Sequence, residues 1–129
     1  MKFSFTLLLL SFVFVACQNS SQTATTANEK SAYTQLSVEE FKAKLATVEK
    51  PQLIDVRTPR EFEQGNIPGS KMINFKDRTF AAEMAKLDKN RPLFIYCQSG
   101  GRSLKACNQA VTDGFTEVYE LAGGYGDWK

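Results

Sequence analysis

The chain contains no histidine, and this absence removes several kinds of active site. Without an imidazole there is no Ser-His-Asp or Cys-His catalytic unit and no histidine-ligated zinc centre. The chain also lacks a strong charge of either sign, because 16 basic and 14 acidic residues give a formal net charge of +2. We therefore expect no nucleic-acid partner, and nothing in the sequence predicts a metal site or a cofactor. Any catalytic group must be activated by other means than histidine.

The length of 129 residues is enough for one domain of ordinary size. Hydrophobic residues make up 43% of the chain and aromatic residues 12%, which is enough to form a core. No internal repeat is present. These values predict a single globular domain.

The first seventeen residues are predicted to be an export signal. Lys2 precedes an apolar run over 3–16, which is too short to span a bilayer and is typical of a signal-peptide core. The ending "FVAC" resembles the lipobox of bacterial lipoproteins, although Phe14 replaces the usual leucine. The resemblance implies lipidation of Cys17 and a membrane-anchored protein facing the periplasm or the cell surface. The alternative is an ordinary secretory signal with a chance cysteine.

Residues 18–35 are rich in Ser, Thr, Gln and Asn and are predicted to be a flexible polar tether. The folded domain is then expected to cover 36–129.

The domain alternates apolar strands with amphipathic helices. Strands are predicted at 52–56, around 71–75, at 92–96 and at 117–121, with helices between them and at both ends. Strands without polar alternation indicate a mostly parallel sheet with helices on both faces, an α/β fold of three layers. Reactive groups gather beyond the carboxyl ends of such strands. Two polar segments follow strands in this way, "DVRTPRE" (55–61) and "CQSGGRS" (97–103).

The second of these segments has the features of an anion cradle around Cys97. Gly100 and Gly101 allow successive N–H groups to converge on one point. Ser103 is predicted to open a helix whose positive end faces the loop, and Arg102 adds a guanidinium. All these features stabilise a thiolate. The alternative is a buried thiol before a glycine turn.

Three segments then resemble a known family. "LIDVRTPREFEQGNIPGSKMINF", "FIYCQSGGRSLKAC" and "GFTEVYELAGGYGDW" are similar to the signature blocks of single-domain rhodaneses, which are sulfurtransferases. The resemblance implies a rhodanese-like α/β fold in which Cys97 accepts a sulfane sulfur. The sulfur would come from a small anion such as thiosulfate or from a persulfide, and would pass to a thiol or cyanide-like acceptor.

The resemblance also implies how the reacting groups are held. Arg102 would face the oxyanion of the sulfur donor, and the persulfide would lie in a cradle formed by Gln98, Ser99, Gly100, Gly101, Arg102 and Ser103. The chain departs from the family at Asn66, where histidine is common in the turn "GNIPG", and in a short last helix.

Two other functions remain open at this stage. Cysteine-dependent phosphatases and arsenate reductases also use a cysteine and an arginine around an oxyanion. The family pattern of the phosphatases places five residues between the cysteine and the arginine, whereas this chain has four residues between Cys97 and Arg102. A non-catalytic rhodanese-like module that binds a partner is the other alternative, although such modules often lack the cysteine.

Asp55 and Arg57 are expected to pair structurally, with substrate binding as the alternative, and Glu61 is expected to cap its helix.

Cys107 falls on the apolar face of the helix after the loop and is expected to be a buried, inert thiol. A disulfide between Cys97 and Cys107 stays open. Tyr125 and Trp128 are expected to close the core, with a rim for the acceptor as the alternative.

Overall fold

The computed structural model describes residues 32–129, in which strands and helices alternate. The predictions for the signal segment, including Cys17, lie outside the described residues. Over 32–129, no helix is long and apolar enough to cross a membrane. The strands are β1 (Thr34–Leu36), β2 (Gln52–Asp55), β3 (Lys71–Met72), β4 (Leu93–Tyr96) and β5 (Val118–Leu121). The helices are α1 (Val38–Ala46), α2 (Pro59–Glu63), α3 (Phe80–Ala85), α4 (Gly101–Thr112) and α5 (Gly124–Trp128).

The five strands form one sheet in the order β1-β5-β4-β2-β3, and every neighbouring pair is parallel. Side chains of the central strand β4 point alternately to the two faces, as the strand period of two requires. Leu93 and Ile95 pack with residues of α3 and α4, whereas Phe94 and Tyr96 pack with Phe41 of α1. Helices therefore cover both faces, which confirms the predicted α/β fold.

Two capping boxes begin the helices that were expected from the sequence. At α1, Glu40 N donates to Ser37 Oγ over 3.3 Å, and Ser37 N donates to Glu40 Oε2 over 2.9 Å. Thr58 and Glu61 form the same reciprocal pair before α2, where Pro59 occupies the first helical position. Each box satisfies backbone N–H groups that have no partner inside the helix.

The folded part begins slightly before the predicted boundary. Thr34 and Gln35, predicted as the end of the tether, belong to β1 and pair with Tyr119 and Glu120 of β5. These residues are polar, so hydrophobic periodicity did not reveal the strand. The order there comes from hydrogen bonds to β5 along an edge of the sheet.

Candidate active site

The cysteine predicted to be reactive lies at the carboxyl edge of the sheet. Cys97 directly follows β4, and Asp55 ends the neighbouring β2, where it pairs in register with Tyr96. Because the two strands are parallel, the segments that follow them meet at the same edge. The two polar segments singled out from the sequence are therefore adjacent in the fold.

The backbone curls around the sulfur at Gly100. This residue has φ 111°, a value that favours glycine, and its N–H donates to Cys97 Sγ over 3.1 Å. Helix α4 begins at Gly101, so the prediction that Ser103 opens the helix was wrong by two residues. Gly100 supplies the non-helical conformation before α4, and no side-chain cap is used. Ser103 instead lies in the first turn, with Oγ 3.3 Å from Cys97 Sγ.

These contacts favour the thiolate of Cys97. Burial alone would raise the pKa of this thiol, because only 1% of the residue is exposed. Hydrogen bonding with the Ser103 hydroxyl and with the backbone N–H groups of Ser103, Gly100 and Ser99 outweighs burial. The pKa of Cys97 therefore lies below the ordinary thiol value. Uncharged groups of the loop thus lower the pKa of Cys97 without any histidine.

Cys107 has the opposite environment. It is fully buried on α4, and burial raises the pKa of its thiol well above the ordinary range, with further increases from Glu120 and Cys97. Cys97 and Cys107 are both free thiols in the structure. The expected inert character of Cys107 therefore has a physical basis.

The guanidinium of Arg102 is bound by Glu61 of α2. Arg102 Nη1 and Nη2 donate to Glu61 Oε2 and Oε1, each over 2.7 Å. Hydrogen bonding to Arg102 is the main cause that holds the pKa of Glu61 well below its usual value. Hydrogen bonding to Thr58 lowers this pKa further, whereas burial acts in the opposite direction. The resemblance implied that Arg102 faces the sulfur donor, whereas the structure directs it to Glu61. Glu61 caps its helix as expected and also binds Arg102, which the sequence did not indicate.

Arg57 connects the two segments at the sheet edge. It is 1% exposed and pairs with Asp55 through Nε and Nη2, the latter 2.7 Å from Oδ2. Its Nη1 donates to Gln98 Oε1 over 3.0 Å, and its guanidinium lies 4.3 Å from the ring centroid of Tyr125. The expected Asp55–Arg57 pair is thus present. The contact with Gln98 was missed, because 41 residues separate it from Arg57.

Helix α5 supports the loop from the other side. Tyr125 N donates to Cys97 O over 2.8 Å, and Gly126 N donates to Gln98 O over 3.0 Å. This approach needs glycine at position 124, where φ is 66° and a Cβ would lie 2.6 Å from the Cys97 carbonyl oxygen. The segment "GGYGDW" therefore holds the cysteine loop in place.

A cavity of about 260 Å³ opens beside the loop. Its lining consists of polar and aromatic side chains from in and around α2, from the cysteine loop and from the C-terminal segment: Arg57, Glu61, Gln64, Gln98, Tyr125 and Lys129. Tyr125 borders the cavity and also packs against the core, as expected. Trp128 packs in the core against Phe41, with ring centroids 6.3 Å apart, as expected for a residue that closes the core.

A buried carboxylate behind the loop was missed by the sequence reasoning. Glu120 of β5 is fully buried, and Ser103 Oγ donates to its Oε1. Gln35 Nε2 donates to its Oε2 over 3.0 Å. The signal available in the sequence was an acidic residue, Glu120, between Tyr119 and Leu121 inside the predicted strand "EVYEL". Over residues 32–129, no group of three or more His, Cys, Asp or Glu residues is arranged to hold a metal ion.

Comparison with known proteins identifies the class that this fold and site define. A family described as "Rhodanese-like domain" matches residues 37–129, so the chain belongs to the rhodanese-like family. A sulfurtransferase of Allochromatium vinosum is 36% identical over 90 residues, covering 70% of this chain and 82% of the relative. Thiosulfate sulfurtransferase GlpE of Pseudomonas aeruginosa is 35% identical over 78 residues, covering 60% of this chain and 69% of the relative.

Solved structures show the same relationship. The crystal structure of a rhodanese-like domain protein from Staphylococcus aureus matches with a TM-score of 0.66 and 29% identity, covering 74% of this chain and 91% of that protein.

Proposed function

We propose that this protein is a sulfurtransferase that carries a sulfane sulfur on Cys97. The sulfur comes from thiosulfate or a persulfide and passes to a thiol or cyanide-like acceptor. The observation that carries the proposal is the arrangement around Cys97 Sγ at the carboxyl end of β4. This sulfur accepts a hydrogen bond from the backbone N–H of Gly100. The names of the relatives from Allochromatium vinosum and Pseudomonas aeruginosa support the same reaction.

The proposed reaction consists of two displacements at sulfur. The Cys97 thiolate attacks the outer sulfur of thiosulfate, and sulfite leaves with the electron pair of the broken S–S bond. This step leaves a persulfide on Cys97. A thiolate or cyanide acceptor then attacks the terminal sulfur, and the Cys97 thiolate leaves. The negative charge stays at or next to the sulfur of Cys97, where the N–H groups of Ser99, Gly100 and Ser103 stabilise it.

The cavity beside the loop suits the approach of a small anion. Its volume of about 260 Å³ accommodates a group of a few heavy atoms, and Lys129 contributes a cation to its lining. The Arg57–Asp55 pair fixes Gln98 at the boundary between the cavity and the loop. The residues predicted as the cradle, Gln98 to Ser103, are proposed to hold the persulfide mainly through their backbone.

Mass spectrometry after incubation with thiosulfate or glutathione persulfide tests the proposal. We expect a mass increase of one sulfur atom on the Cys97 peptide, reversed by cyanide. Cys97→Ser should lose both the adduct and turnover, whereas the matched variant Cys107→Ser should keep them. A wild-type protein that takes up no sulfur would favour the partner-binding module. Hydrolysis of a phosphate monoester without sulfur uptake would favour a phosphatase.

A further inference from the structure

The side-chain amide of Gln98 offers a hydrogen-bond donor next to the nucleophile that the fold leaves unused. Its Oε1 accepts a hydrogen bond from Arg57 Nη1 over 3.0 Å. A guanidinium has donors only, so the atom of the amide that faces it must be the oxygen. The NH2 group of Gln98 therefore points away from Arg57, and it makes no hydrogen bond within residues 32–129. The contact with Arg57 thus fixes which end of the amide is presented to a ligand.

Arg57, which orients this amide, is itself held rigidly. It is 1% exposed, and its Nε and Nη2 donate to Asp55 Oδ2 over 3.0 and 2.7 Å. Nη2 also donates to the carbonyl oxygen of Gly65 over 2.7 Å, and the guanidinium lies 4.3 Å from the ring centroid of Tyr125. A donor with such fixed support loses little conformational freedom when it binds a ligand. Gln98 is therefore pre-organised as a binding group.

The cavity that Gln98 lines contains one positive charge without a carboxylate partner. Three charged side chains belong to its lining: Arg57, Glu61 and Lys129. Arg57 and Glu61 are each paired with an oppositely charged residue. Lys129 takes part in no salt bridge of residues 32–129, and its Nζ lies 5.6 Å from the ring centroid of Tyr125. The cavity therefore suits a group with a single negative charge.

The position of the cavity relative to the sulfur indicates which substrate uses it. Gln98 lines the cavity but Cys97 does not, so the cavity lies beside the nucleophile and not around it. Thiosulfate has its sulfonate directly on the sulfur that is attacked, so its charge stays within one bond of the reacting atom. A thiol acceptor with a short carbon chain has its carboxylate several bonds from its sulfur. Such a carboxylate can lie in the cavity while the sulfur reaches the persulfide.

We propose that the cavity binds the carboxylate of a small organic thiol, the sulfur acceptor, and that Gln98 and Lys129 determine this specificity. Gln98 Nε2 donates to the carboxylate, and the Lys129 ammonium balances its charge. The thiolate of the acceptor attacks the terminal sulfur of the Cys97 persulfide, and the electron pair of the broken S–S bond leaves with the Cys97 sulfur. The persulfide proton stays on the transferred sulfur, so the products are an organic persulfide and the Cys97 thiolate. The inference rests on the proposed function in that Cys97 carries the sulfur.

The rate at which acceptors discharge the persulfide tests the proposal. Protein loaded with sulfur and freed of excess donor is mixed with mercaptopropionate or with its neutral amide, and mass spectrometry follows the loss of the sulfur adduct. The ratio of the two rate constants, acid over amide, measures the selection of the carboxylate and cancels differences in loading.

Gln98→Glu keeps an oxygen for Arg57 but loses the NH2 donor, so we expect this ratio to fall about tenfold. Lys129→Gln should lower the ratio as well, because the balancing charge is lost. The matched controls Gln109→Glu and Lys105→Gln make the same changes on exposed side chains of α4 outside the cavity, and the ratio should stay as in the wild type. An unchanged ratio in Gln98→Glu, or an equal fall in the controls, would overturn the proposal.

Binding without sulfur transfer gives a second readout that does not depend on the reaction. Methylthiopropionate carries the carboxylate but no free thiol, and it should shift the NMR signals of the Gln98 side-chain NH2 group in the full-length wild-type protein. The neutral methylthiopropanol should shift them less, and Lys129→Gln should weaken the effect of the carboxylate. Shifts that do not depend on the carboxylate would overturn the inference even where sulfur transfer occurs. Carboxylate-dependent shifts in a protein that takes up no sulfur would contradict the proposed function and support the binding site.

Discussion

The two thiols of the described domain show how strongly single contacts control a side chain. Cys97 and Cys107 belong to the same core cluster, and both are almost completely buried. Burial alone would make both unreactive. Cys97 differs because a hydroxyl and three backbone N–H groups point at its sulfur. The opposite shifts of the two pKa values therefore come from the glycine loop and the helix start, not from exposure to solvent.

This contrast predicts selective alkylation. Iodoacetamide should modify Cys97 of the native protein at neutral pH, because its pKa lies below the ordinary thiol value of about 8.5. Cys107 should stay unmodified until the protein is unfolded, because its pKa is raised. Peptide mass spectrometry over a pH series measures both rates, with a urea-unfolded sample as the control in which the two react alike. Equal and slow native reaction of both thiols would show that the loop does not activate Cys97.

At the scale of the elements, the contact between α2 and α4 is an ion pair at the edge of the site. Glu61 and Arg102 meet through two hydrogen bonds of 2.7 Å, with side chains 28% and 22% exposed. Such bidentate pairs are geometrically specific and stronger than single contacts. The carboxylate of Glu61 therefore already binds the guanidinium, and thiosulfate, if it is the donor as we propose, would have to compete with Glu61 for it.

Variants at the two positions should consequently change thiosulfate turnover in opposite directions. Arg102→Met should lower kcat/KM for thiosulfate about tenfold, because a charge-assisted contact is lost. The loss of kcat/KM should be smaller for a persulfide donor, because that donor carries less charge. Glu61→Gln keeps a side chain of the same shape but frees the guanidinium, so it should raise kcat/KM for thiosulfate. Steady-state kinetics with both donors measure the effect. Equal losses in both variants and with both donors would mean that the pair only shapes the loop.

At the scale of the whole molecule, we propose that the domain is exported and anchored through a lipid on Cys17. The apolar run 3–16 and the ending "FVAC" motivate the proposal. Wild-type protein expressed in a bacterial host should partition into detergent and incorporate labelled fatty acid. Cys17→Ala should abolish the label and leave the protein soluble or unprocessed, with Cys107→Ala as the matched control that keeps the label. Unmodified wild-type protein in the soluble periplasm would contradict the anchor.

The sequence by itself determined most of the elements and indicated the candidate nucleophile. Apolar runs without polar alternation predicted the buried strands β2 and β4, because a strand covered on both faces needs no polar side. The capping boxes at Ser37 and Thr58 predicted two helix starts, because their hydrogen bonds form within four residues. Gly100 and Gly101, three and four residues after Cys97, indicated an anion cradle. This feature could be predicted because all residues of the loop are neighbours in the sequence.

Only the tertiary structure decided which distant partners these groups have. Arg102 was interpreted as a group that faces the substrate, yet it binds Glu61, 41 residues away. The contact between Gln35 and Glu120 spans 85 residues and brings the predicted tether into the sheet. Such contacts depend on the order of the strands and on how the helices pack on them, and local periodicity carries no information about either. The partners of the charged groups are therefore a property of the fold, whereas the candidate nucleophile could already be named from the sequence.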